Sequence, residues 1–143
     1  MKMSIAGQNE ALIGHILGID FGKSKIGLAI ADEETRMAFA LDTFLNNKNF
    51  FEKLDEIVKK ENVKTIIIGI TTHNKDIKSA EEKSDFAEMI KEKTGLPVMF
   101  QEEMFTTKIA QDNIKKHGKK NISQSDDKEA ARIILQEWLD QNL

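Results

Sequence analysis

Residues 16–31 read Ile16-Leu17-Gly18-Ile19-Asp20-Phe21-Gly22-Lys23-Ser24-Lys25-Ile26-Gly27-Leu28-Ala29-Ile30-Ala31. Two runs rich in branched apolar residues flank a short polar break that contains a glycine, the pattern of a β-hairpin. Asp20 falls at the end of the first strand. A carboxylate in an apolar strand loses hydration, and a bound cation is one of the few compensations that keep it ionised. Asp is also a common turn former, so capping of a turn is the plainer reading of Asp20. Gly18, Gly22 and Gly27 leave open backbone around it, as needed where a substrate or another backbone comes close.

The rest of the chain limits what such a site can serve. Its 143 residues suit one domain, long enough for a proper core but too short for a two-lobed enzyme. Twenty-one Lys and Arg against 24 Asp and Glu leave a net charge of −3, so no global positive field marks a polyanion partner. A local basic face remains compatible with that total. The absence of cysteine excludes disulfides and thiolate metal sites and agrees with a reducing cytoplasm. Met1 to His15 has no continuous apolar core of a signal segment, and nothing reaches the roughly 18 apolar residues of a membrane span. The expectation is a cytoplasmic protein with no membrane partner.

In chain order, residues 1–14 read as an N-terminal extension and 15–143 as a single domain. After the hairpin, Asp32-Glu33-Glu34 makes a polar turn and Met37 to Phe44 a third strand, completing an antiparallel meander. Asn46 to Asn49 is a loop with helix-cap chemistry at its end. Phe51, Leu54, Ile57 and Val58 recur at helical spacing in a helix from Phe50 to about Glu61-Asn62. The uninterrupted run Thr65 to Gly69 predicts a strand covered on both faces, with parallel neighbours. A loop at Thr71 to Ile77 leads to a helix from Ser79 to Thr94, which Gly95 caps; Pro97 then opens a strand from Val98 to Gln101. A further helix from Thr106 or Thr107 to Lys116, a break at His117 to Lys120 and a last helix from Ser125 or Asp126 through Leu139 complete the order. Trp138, Ile133, Ile134 and Leu135 are core candidates on that last helix. The result is an α/β fold on a mixed five-stranded sheet, three antiparallel strands followed by a βαβ unit, flanked by helices.

Acidic residues fall at the ends of these elements. Asp20 ends the first strand, Glu102 and Glu103 end the last, and Asp126 and Asp127 open the final helix. In open α/β sheets ligands gather beyond the carboxyl ends of parallel strands, so these groups have a place to converge. Clustered carboxylates repel unless a divalent cation shares them, and hard oxygen donors suit Mg²⁺ or Mn²⁺. Such a set equips phosphodiester cleavage by metal-activated water. Exposed caps and solvated faces are the alternative.

ILGIDFGKSKIGLAIAD, the TIIIG strand, GLPVMFQEEMFTT and DDKEAARIILQEWLD together resemble the YqgF family, also called RuvX, over Ile16 to Asp140. The resemblance implies a ribonuclease H-like fold. Family members are described as Holliday junction resolvases and as nucleases that mature the 5′ end of pre-16S ribosomal RNA. It implies further that Asp20, Glu103 and Asp127 are the catalytic, metal-ligating residues, with Mg²⁺ or Mn²⁺ as cofactor. Met104 stands where the family carries an arginine, and Gly69-Ile70-Thr71 where it carries Gly-Leu-Pro. The function implied is a divalent-metal-dependent endonuclease, and those departures keep a non-catalytic nucleic-acid or ribosome-assembly module as an alternative.

The implied partner is nucleic acid, either precursor rRNA or branched DNA. Lys23 and Lys25 in the hairpin, and Lys119 and Lys120 after the third predicted helix, are candidate phosphate contacts. His15, His73 and His117 show no ligand spacing. A resolvase making two symmetric cuts requires a homodimer, whereas RNA end-processing needs only a monomer. The GIDFG opening also resembles the first phosphate loop of actin-, hexokinase- and Hsp70-type ATP-binding proteins, but those need two lobes around the nucleotide.

Overall fold

Period-two alternation along one central strand sets the layers of the molecule. The computed structural model describes residues 13–70, 77–102 and 122–142, the backbone alone at 77–79 and 122–126. In chain order these form β1 (His15–Phe21), β2 (Lys25–Asp32), β3 (Phe39–Leu45), α1 (Phe50–Lys60), β4 (Val63–Ile70), α2 (Ile77–Thr94), β5 (Val98–Glu102) and α3 (Ile122–Gln141). The strands make one sheet in the order β3-β2-β1-β4-β5. β2 runs antiparallel to both β1 and β3, while β4 is parallel to β1 and to β5. The mixed five-stranded sheet and its meander-then-βαβ order are those expected from the sequence.

Alternate residues of each strand meet different helices. Leu17, Ile19 and Phe21 of β1, Ile26 and Leu28 of β2, and Ile66 and Ile68 of β4 pack with Phe50 and Leu54 of α1 and with Phe86, Ala87 and Ile90 of α2. The other face carries Ile16, Ala29, Ala31, Ala38 and Ile67 against Ala131, Ile134, Leu135 and Leu139 of α3, with Trp138 partly buried at its margin. Ile66 to Gly69 are buried, as a strand covered on both faces requires.

Several boundaries differ from expectation for identifiable reasons. β3 begins at Phe39 rather than Met37 because the turn after β2 is longer. The Asp32 carboxylate accepts from the backbone N–H of Glu34 and Thr35 (2.9 and 2.6 Å), and Arg36 takes a positive φ of 56°. Ala38 then donates its N–H to Gln136 Oε1 of α3 at 2.9 Å. Ahead of α1, Asn49 makes no side-chain cap; Asn47 Oδ1 instead accepts from the Asn49 N–H at 2.9 Å. α3 starts at Ile122 because residues 122–125 contain neither glycine nor proline to stop it. Asp126 and Asp127 therefore lie inside the helix and do not open it.

Gly95 ends α2 with φ +70° and its N–H bonded to the Lys91 carbonyl at 2.9 Å, as predicted. At the start of the described chain, Ile13 and Gly14 are already tied in. Ile13 O accepts from Asn62 Nδ2 at 3.0 Å, and Gly14 O from the Glu33 N–H at the same distance. The helix predicted at 106–116 and the break at 117–120 lie outside the described residues. No helix among those described is long and apolar enough to cross a membrane.

Candidate active site

β1, β4 and β5 are mutually parallel, so Asp20, Ile70 and Glu102 come to the same end of the sheet. On β1, Ile16 and Gly18 face α3, and Asp20, two residues further on, shares that face. A Cβ on Gly18 would stand 2.7 Å from Leu135 Cβ and 3.1 Å from the Ala131 carbonyl oxygen. The helix backbone thus lies almost on the strand.

Gly27 is the register partner of Asp20 across the β1–β2 pair. Directly opposite residues of an antiparallel pair stand about 5 Å apart at Cα and point to the same face. A Cβ on Gly27 would fall 2.0 Å from the carbonyl oxygen of Asp127. The backbone of Asp127 therefore sits on the strand position beside Asp20. Gly27 serves this approach of another backbone, and Gly22 serves the turn, where an added Cβ would come 2.5 Å from the Lys25 carbonyl.

The placement repeats along the helix. Asp127, Ala131, Leu135 and Leu139 are four residues apart and form one row, so the row that buries Leu139 and Leu135 also carries Asp127 to the strand ends. The far end of α3 is fastened independently. An Arg36 Nη2–H donates to the carbonyls of Leu139 (3.2 Å) and Asn142 (2.6 Å), placing a cation at the helix C-terminus. Neither Arg36 nor Gln136 was singled out from sequence. The in-phase spacing from Asp127 to Leu139 was the signal available for the helix register.

Glu102 is exposed and follows Gln101, whose Nε2–H donates to Gln141 Oε1 of α3 at 3.2 Å. Glu102 accordingly projects from the opposite face to Asp20. Lys23 is exposed in the β1–β2 turn, and Lys25, half-buried, opens β2 opposite Leu45. His15 begins β1, at the far end of the strand from Asp20. Glu103, Met104, Thr71, His73, His117, Lys119 and Lys120 lie outside the described residues. Among those described, no three His, Asp or Glu side chains are grouped closely enough to hold an ion.

A family model described as RuvX, Holliday junction resolvase, matches residues 14–141. The chain belongs to the RuvX family. A protein of Sulfurihydrogenibium sp. (strain YO3AOP1) named "Putative pre-16S rRNA nuclease" is 30% identical over 132 residues, covering 90% of this chain and 91% of that protein. One of the same name from Orientia tsutsugamushi (strain Ikeda) is 35% identical over 127 residues, covering 85% and 80%. Among solved structures, T. thermophilus RuvC in complex with Holliday junction substrate superposes with a TM-score of 0.57 at 16% identity, over 87% of this chain and 93% of RuvC. Fowlpox virus resolvase, in complex with Holliday junction DNA, gives 0.57 at 11% identity over 90% and 99%. At such identities the likeness concerns the fold, which is ribonuclease H-like.

Proposed function

We propose that this RuvX-family chain is a divalent-metal-dependent endonuclease of structured nucleic acid that processes the 5′ end of pre-16S rRNA in the cytoplasm. The observation that supports it best is the seat of Asp127 on Gly27, the register partner of Asp20, which brings two acidic residues from distant parts of the chain together. Glu103 is proposed as the third carboxylate, the position that the resemblance to the family implies. The names of the curated relatives support the substrate.

Carboxylate oxygens are the donors Mg²⁺ and Mn²⁺ prefer, so the set fits such an ion, with Asp20, Glu103 and Asp127 as its ligands. A bound divalent ion would supply activated water and charge stabilisation for phosphodiester hydrolysis. The chain's own residues do the rest. Gly18 and Gly27 let α3 close on the sheet, and Arg36 and Gln136 hold its far end, so that Asp127 keeps its position relative to Asp20. Lys23, Lys25, Lys119 and Lys120 are proposed to bind phosphates.

The test is incubation of the pure protein with a pre-16S fragment and, separately, with a four-way DNA junction, in Mg²⁺, in Mn²⁺ and in chelator. The proposal expects metal-dependent cleavage of the RNA near its mature 5′ end. Cleavage of the junction alone would make the chain a resolvase, and cleavage of neither would make it a non-catalytic binding module.

A further inference from the structure

The loop between β3 and α1 joins the β1–β2 turn in a single surface at the Asp20 end of the sheet. Asn46 makes the junction. Its backbone N–H donates to the Ser24 carbonyl at 2.8 Å and its side-chain Nδ2–H to the Gly22 carbonyl at 2.7 Å, so both carbonyls flanking Lys23 are held by one residue. The two segments, Gly22-Lys23-Ser24-Lys25 and Asn46-Asn47-Lys48-Asn49, carry three lysines and no acid in a chain whose net charge is −3. Lys23 and Lys48 are exposed, and among the described residues neither makes an ion pair or hydrogen bond. Lys53, one turn into α1, extends the positive charge with its Nζ 5.1 Å from the centre of the Phe44 ring.

We infer that this fastened pair of loops is a phosphate shelf, on which Lys48, together with Lys23, holds the nucleic-acid strand being cleaved on the β3 side of the carboxylates. This deepens the nuclease reading and rests on it. Three physical points support it. A polyanion approaching a site of carboxylates is repelled, so positive charge has to be concentrated beside that site. Loops fixed by Asn46 lose less freedom on binding than free ones. The span also matches: from β1 to β3 is two strand spacings, roughly 10 Å. In B-form DNA that is the axial rise of about three nucleotides, at roughly 3.4 Å each, short enough for Lys48 to touch the strand that enters the site.

The experiment measures binding of a pre-16S fragment and of a four-way DNA junction between about 50 and 200 mM salt, where each phosphate contact contributes roughly 0.7 to 0.9 to the log–log slope. One variant carries Lys23→Ala and Lys48→Ala. A second carries Lys60→Ala and Lys64→Ala, which removes the same charge from exposed positions at the His15 end of the sheet. The shelf predicts a slope lower by roughly 0.7 to 0.9 per lysine in the first variant and no change in the second. It also predicts a several-fold rise in KM with kcat retained in the first variant. Equal losses in both variants would mean attraction by total charge, and an unchanged slope in the first would mean solvated lysines; either result overturns the shelf while leaving the nuclease reading intact. Wild-type protein that binds neither probe would instead overturn the nuclease reading.

Discussion

The two faces of the sheet are built from different residues and do different work. On the α1–α2 face the strands present Leu17, Ile19, Ile26, Leu28, Ile66 and Ile68, a layer of large side chains beneath Phe50 and Phe86, whose ring centroids are 5.8 Å apart. Under α3 they present Gly18, Gly27, Ala29 and Ala31 beside Ile16 and Ile67, and at the two glycines the helix backbone comes down almost to the strands. Large residues bury more apolar area and carry stability. Small ones shorten the distance between helix and strand, which lets the backbone of Asp127, on a helix, be seated on Gly27, the register partner of Asp20. The candidate site thus occupies the face that gives up bulk.

Phe50→Ala tests the bulky face and should have the largest effect on stability. Phe50 is fully buried and touches Phe44, Phe51 and Phe86, so truncation should cost about 3 to 5 kcal/mol in a denaturant titration. Turnover per folded molecule should be unchanged. Gly27→Ala tests the other face. Its Cβ would overlap the Asp127 carbonyl, which is backbone and has no rotamer to escape into. The helix must lift, at about 1 to 3 kcal/mol of stability, and nuclease turnover should fall more than the stability loss explains. Equal ratios of activity loss to stability loss in these two variants would erase the distinction between the faces.

Most of this architecture was legible in the chain. Apolar runs bounded by Gly22, Gly95 and Pro97 marked the strands and the end of α2, and the β-branched run at Thr65 to Gly69 marked a strand with parallel neighbours. The start of α3 was misplaced because Ser125 and Asp126 look like caps, while nothing at residues 122–125 forbids a helix and packing extends it. The start of β3 was misplaced because a contact 98 residues away, Gln136 Oε1 with the Ala38 N–H, competes with the sheet ladder. Gly27 could be read as open backbone, but only the three-dimensional register shows that Asp127 fills the opening. The lysine shelf was half legible. Lys23 and Lys25 stand in an evident turn, whereas Lys48 joins them through the two hydrogen bonds of Asn46.

The smallest effect is expected at the end of the sheet away from the site. The Thr35 backbone N–H, bonded to the Asp32 carboxylate, is the main reason its pKa lies below the ordinary 3.8, helped by the Thr35 hydroxyl, the Glu34 N–H and nearby His15. A carboxyl whose folded pKa is depressed adds stability that is present above its unfolded pKa and is lost as pH falls through the folded value. Asp32→Asn should therefore shallow the acid side of the stability profile below about pH 4 and change stability little at neutral pH, because solvent screens the exposed carboxylate. Acid titrations of the two proteins monitored by circular dichroism check this. Nuclease rate at neutral pH should not change, since Asp32 lies at the opposite end of the sheet from Asp20.

Asp20 and Asp127 are proposed to hold one divalent ion together. This sharing is tested most directly by calorimetric Mn²⁺ titration of the wild-type protein and of Asp20→Asn and Asp127→Asn, with cleavage rates measured on the same preparations. Loss of groups that merely support metal ligands already costs about 10- to 100-fold, so removing a ligand charge should cost at least that in both affinity and turnover. Each variant should show both losses while its melting temperature stays near that of the wild type. A variant at either position that binds Mn²⁺ and cleaves as the wild type does would show that the two carboxylates do not share an ion.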